Sequence, residues 1–137
     1  MHALLTKRHA GRFDKGLYFA DISTKSAGYC HASVNTSNRG FLLLSEVALG
    51  NVLEMPKNDR YAGTTCKAAG KDSVKGLGKT GPNPEGQCEL PDGCIVPSGK
   101  PCNTGVKDSE LLYNEFIVYQ KTQMKMRYLL QVKFNYK

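Results

Sequence analysis

A glutamate stands where a buried strand would favour an apolar residue. Glu115 lies between Leu111-Leu112 and Phe116-Ile117-Val118. A carboxylate in that setting must be hydrogen-bonded, open to a cleft, or shifted in pKa. Glutamate is also disfavoured in strands, so the departure is a pointer and no more. On these residues alone, a strand whose Glu-bearing face is wet is the plainer reading. Two other constellations carry less. Gly76-Leu77-Gly78-Lys79-Thr80 resembles a phosphate loop in part, but position 73 is Ser rather than Gly, so the GxxxxGK[ST] spacing fails. Cys66, Cys88, Cys94 and Cys102 lie in a Gly- and Pro-rich stretch and Cys30 stands apart, with no CxxC pair and no histidine at finger spacing. Zinc is therefore a weak reading, and reduced thiols are the expectation.

The elements that must hold Glu115 are mostly strands. The 137 residues suit one domain with its own core, and 40% hydrophobic with 23% charged residues is ordinary for a globular chain. The net charge of +7 favours polyanions, but the lysines are scattered, and a solvated surface is the plainer reading. The longest apolar run, Phe41 to Leu44, is too short to span a bilayer, and Met1 to Arg12 lacks the apolar core of a secretory signal. The expectation is a chain directed neither to a membrane nor out of the cell.

Along the chain, Met1 to Asp14 reads as an irregular lead-in, and Gly16 to Ala20 as a short apolar strand. Asp21 to Thr24 offers cap residues for a helix of about two turns over Lys25 to Ser33. Gly40 to Leu49 reads as a buried strand, apolar on both faces. Residues 56–105 read as a loop-rich insert. Leu111 to Tyr119 alternates, with Leu111, Tyr113, Glu115, Ile117 and Tyr119 on one face. In Tyr128 to Tyr136 the apolar set Tyr128, Leu130, Val132, Phe134 and Tyr136 is expected to face a core. Strands with long connections and one short helix argue α+β with a largely antiparallel sheet.

Five ordered segments carry a resemblance: Lys15-Gly16-Leu17-Tyr18-Phe19-Ala20-Asp21, Lys25-Ser26-Ala27-Gly28-Tyr29-Cys30, Leu44-Ser45-Glu46-Val47-Ala48-Leu49-Gly50, Ser73 to Thr80, and Leu111-Leu112-Tyr113-Asn114-Glu115. They are similar to successive signatures of the poly(ADP-ribose) polymerase family. The resemblance implies an α+β domain with the split antiparallel β-sheet of the ADP-ribosyltransferase type, spanning 1–137 as a partial catalytic domain whose N-terminal strand or strands are missing. It implies NAD⁺ as substrate and no metal. Glu115 matches the catalytic glutamate, which bonds the 2′-hydroxyl of the nicotinamide ribose. Tyr18, Ser26 and Tyr29 match the nicotinamide pocket, and Gly16 and Ala20, on the same strand as Tyr18, are implied as cofactor-binding with them. Three residues apart, Ser26 and Tyr29 would share one helix face. Lys25 and Tyr113 resemble acceptor-side positions, and Gly76 to Gly86 would form part of the acceptor wall.

The function implied is transfer of ADP-ribose from NAD⁺ to protein acceptors or a growing poly(ADP-ribose) chain, with release of nicotinamide. The glutamate leans toward polymerising. A nuclear location (otherwise cytoplasmic) and a part in DNA repair follow from the same resemblance, with DNA met only through domains outside this chain and no membrane partner. The family's upstream His-Gly pair is not found here, since neither His2 nor His9 precedes Gly. The chain alone is therefore expected to be weak or inactive, with an open sheet edge. Two alternatives stand beside this: a non-catalytic scaffold or pseudo-enzyme that keeps the nicotinamide pocket, and a basic nucleic-acid-associated module.

Overall fold

The computed structural model describes residues 1–135, and side chains throughout that range except at 6–10. In chain order the elements are β1 (His2–Gly11), β2 (Asp14–Ala20), α1 (Ser23–Ala27), β3 (Arg39–Val47), β4 (Val52–Met55), α2 (Ala62–Ala68), β5 (Ser73–Gly76) and β6 (Gly78–Pro82). There follow β7 (Cys88–Glu89), β8 (Ile95–Val96), β9 (Pro101–Asn103), β10 (Leu111–Tyr113), β11 (Glu115–Val118) and β12 (Met124–Lys133). Among the described residues the strands form a seven-stranded sheet, β12-β3-β1-β2-β11-β5-β4, a three-stranded sheet, β10-β6-β9, and the β7–β8 pair. Pairing is antiparallel except between β4 and β5 and between β10 and β6. The α+β architecture, mainly antiparallel strands with few short helices, is the one the sequence suggested.

Cores lie on both faces of the large sheet. On one face Phe13, Tyr18, Val74, Leu111 and Ile117 pack with Ala62 and Cys66 of α2. On the other, Ala3, Leu17, Phe19, Val47, Phe116 and Val118 form a second cluster. Strand β11 is buried along its whole length, with β2 on one side and β5 on the other. Phe116 faces the second cluster and Ile117 the first, so β11 has no wet face. The position that carries Glu115 is thus held from four directions.

Several local expectations are corrected. Met1 to Asp14 is no lead-in: its β1 pairs with both β2 and β3 inside the sheet. Lys7, Arg8 and His9 mask the strand's alternation, and its hydrogen bonds come from segments distant in sequence. The sheet's edges are instead β12 and β4. The expected two-turn helix is a single short one over Ser23–Ala27, capped by Ile22 without a side-chain hydrogen bond. Beyond it Tyr29 and Cys30 donate to Ser26 and Ala27 in tight i→i+3 turns, and His31 takes φ 49°. Strand β3 is not apolar-buried on both faces, because Phe41 is 59% exposed. Residues 56–105 hold α2 and β5 to β9, elements too short and too rich in glycine to show a period. The expected Leu111–Tyr119 strand breaks at Asn114 into β10 and β11, which lie in different sheets. On β12, Tyr128 is 62% exposed and Leu130 is also open, so that end of the expected core face is a surface, while Val132 and Phe134 are half-buried. As an edge strand β12 pairs, among the described residues, with β3 alone, and alternation says nothing about whether a face is covered. Tyr136 lies outside the described residues.

Candidate active site

Glu115 opens β11, paired with Gly76 of β5. It is 5% exposed. Its Oε1 meets Lys25 Nζ of α1 at 2.5 Å, a charge-assisted contact. Its Oε2 is buried and has no hydrogen-bond partner among the described residues. A buried carboxylate oxygen without a donor is costly. A ligand hydroxyl would satisfy it. The Lys25 ammonium also lies over the Tyr29 ring, 5.9 Å from its centroid, within cation–π range. Glu115, Lys25 and Tyr29 therefore form one continuous group.

Ser26 is fully buried, and its hydroxyl donates to the Leu4 carbonyl of β1 at 3.2 Å. With that hydrogen committed, its lone pairs remain to accept. Tyr29, 38% exposed, sits in the turn after α1 and not on the helix, so the shared helix face expected of Ser26 and Tyr29 is replaced by a tight turn. Tyr18 lies deeper than a pocket wall requires. Its hydroxyl donates to Asp14 O at 2.7 Å and accepts from Phe13 N at 3.0 Å, and its ring is part of the first core cluster. Burial pushes the Tyr18 phenol up to about 12, and the nearby Glu115 charge adds to the rise.

Gly16 and Ala20 flank Tyr18 on β2. Ala20 is buried, and a Cβ at Gly16 would fall 2.6 Å from Ile117 Cγ2, so that glycine serves strand packing. Tyr113 ends β10, opposite Thr80 of β6 and two residues from Glu115. The segment read as an acceptor-wall loop, Gly76 to Gly86, is largely strand β6 with a 3₁₀ turn at Pro84–Gly86.

The family model for the poly(ADP-ribose) polymerase catalytic domain matches residues 1–134. The chain belongs to that family. It is 52% identical over 125 residues to poly [ADP-ribose] polymerase 2 of Arabidopsis thaliana, covering 91% of this chain and 19% of that protein. It is likewise 52% identical over 125 residues to poly [ADP-ribose] polymerase 1 of Gallus gallus (91% and 12%) and 50% identical to that of Xenopus laevis (91% and 12%). The chain thus spans a fifth or less of the length of these curated relatives. The match reaches upstream of Lys15 to take in β1.

Two residues of this poly(ADP-ribose) polymerase domain escaped the sequence reading. Asn114, 6% exposed, donates through Nδ2 to Asp21 Oδ2 at 2.8 Å and accepts from Gly78 N at 2.9 Å. Burial raises the Asp21 carboxyl above its ordinary range, its other oxygen lacks a partner among the described residues, and it lines a cavity of about 450 Å³ shared with Lys75, Asn103 and Phe116. Both residues lie within the quoted motifs. Their only signal was a small polar side chain at the end of an apolar strand.

Proposed function

We propose that this chain is an NAD⁺-dependent ADP-ribosyltransferase domain of polymerising type, which moves ADP-ribose from NAD⁺ to protein acceptors or to a growing chain and releases nicotinamide. The observation that carries the reading is the division of labour in Glu115. One oxygen is held by Lys25 and the other is buried with no partner among the described residues. That second oxygen accepts a hydrogen bond from the 2′-hydroxyl of the nicotinamide ribose. As the bond to nicotinamide breaks, positive charge grows at the adjacent sugar carbon, and a fixed carboxylate in a poorly solvated site stabilises it without reorganising. Lys25 keeps the carboxylate from turning. Tyr29 offers its ring face to the pyridinium, and Ser26 accepts an N–H from the carboxamide. Tyr18, its hydroxyl already engaged, supplies wall and support to β2. A nuclear location and a part in DNA repair belong to the same proposal.

The test is nicotinamide release from NAD⁺, followed by mass spectrometry, together with product length on gels, for the chain extended upstream to carry the family's His-Gly pair and for the Glu115→Gln variant of that longer chain. Removing one preorganised electrostatic group costs about a hundredfold or more in rate. Polymer of unchanged length from Glu115→Gln would refute the assignment.

A further inference from the structure

Asn114 occupies the break between β10 and β11, and both ends of its amide are engaged. Its partner Asp21, just past the end of β2, can only accept when ionised, so it dictates which way the amide turns: Nδ2 toward Asp21, and hence Oδ1 toward the Gly78 amide. Gly78 opens β6 and is pressed against the same residue, because a Cβ there would overlap the backbone of Tyr113 and the nitrogen of Asn114. A Cβ at Gly81 would fall 2.9 Å from Asn114 Nδ2. Gly78 and Gly81 of β6 therefore lie against Asn114 and its neighbour, at Gly78 through a backbone approach that glycine alone permits. Asp21 gains little stability from this arrangement, being desolvated with one oxygen unsatisfied. A costly carboxylate whose one side-chain hydrogen bond fixes an amide next to a reactive group points to a positioning task.

We infer that Asn114 is a positioning residue which locks strand Gly78–Pro82 to the backbone that carries Glu115, with Asp21 setting its orientation. The inference rests on the proposed transferase reading, in which β6 forms the wall along which an acceptor approaches. Asn114 touches neither reacting atom. It sets the distance between the acceptor wall and the carboxylate, and so bears on chain growth more than on cleavage of NAD⁺.

The test is a pair of variants. Asn114→Asp sets two carboxylates against each other. The double variant Asp21→Asn, Asn114→Asp restores one donor and one acceptor in reversed order. Exchange of the Gly78 amide, read by NMR in the folded chain, should speed up about tenfold in Asn114→Asp. In the double variant it should return to within about twofold of the parent. Mean product length should fall further than nicotinamide release in Asn114→Asp, and should recover in the double variant. Unchanged Gly78 exchange in Asn114→Asp would overturn the inference. So would a double variant that melts with the parent yet restores neither exchange nor length. Should the parent release no nicotinamide even when extended upstream to carry the family's His-Gly pair, the transferase reading falls, and Gly78 exchange still decides whether Asn114 holds β6.

Discussion

Replacing Lys25 by Met removes one charge from a contact whose partner cannot reach water. At the 2.5 Å separation of Lys25 Nζ and Glu115 Oε1, the gross attraction at an effective dielectric of 20 is about 7 kcal/mol. Most of that is cancelled by desolvation, and breaking a buried pair from one side costs about 3–5 kcal/mol. The Lys25 side chain keeps 19% exposure against 6% for Glu115, so solvent weakens the pair and the lower end, about 3 kcal/mol, is the expected cost. For a domain of this size that lowers Tm by about 10 °C. Glu115→Gln removes the stranded charge, so Lys25→Met combined with Glu115→Gln should recover most of the loss. Thermal unfolding of the four proteins in a double-mutant cycle measures the coupling directly. A coupling under about 0.5 kcal/mol would show that the ion pair does not hold Glu115, because such a value is typical of exposed pairs.

Three further outcomes are expected. Since burial raises the Tyr18 phenol to about 12 and raises Tyr119 as well, the folded state holds protons that the unfolded chain releases from about pH 10. Stability should be full below pH 10 and fall as pH climbs toward 12, by roughly 1–2 kcal/mol for Tyr18; urea midpoints that do not move between pH 9 and pH 11 would contradict this. Gly78→Ala forces a Cβ into the backbone of Tyr113 and Asn114, and should cost about 3 kcal/mol or more in denaturant titration, because backbone yields less readily than a side-chain tip. Tyr29→Ala should weaken nicotinamide binding by about 1 kcal/mol in calorimetry, and equal affinity would remove Tyr29 from the pocket.

The parts of the fold legible in the sequence were those with a strong local pattern. Leu17 to Ala20 and Phe116 to Val118 are continuous apolar runs, and both are central strands. Strand β1 was hidden because its basic stretch looks like surface, whereas partners far along the chain decide its state. The helix after Ile22 was overdrawn because cap-type residues at Ser23 and Thr24 suggested an anchored start, while tight turns through Gly28 to Cys30 end it early. Tyr128 and Leu130 alternate as core residues do, yet the edge position of β12 leaves them open. In the candidate site, Glu115 stood out because a lone charge among apolar neighbours violates its surroundings. Its link to Lys25 joins α1 to β11 and could not be read from spacing. Asp21 and Asn114 passed as ordinary strand-end punctuation, a role small polar residues fill so often that it conceals any other.

Strand β11 also has a problem of identity during folding. Its apolar residues Phe116, Ile117 and Val118 are buried on both sides of the sheet, so sliding by one position would exchange one greasy surface for another with little penalty. Hydrophobicity alone cannot tell the right alignment from its neighbour. Glu115 can: only one alignment brings it to Lys25, and a slipped strand would strand an ion among aromatic rings. The group placed to assist bond cleavage thereby acts as the notch that admits a single key.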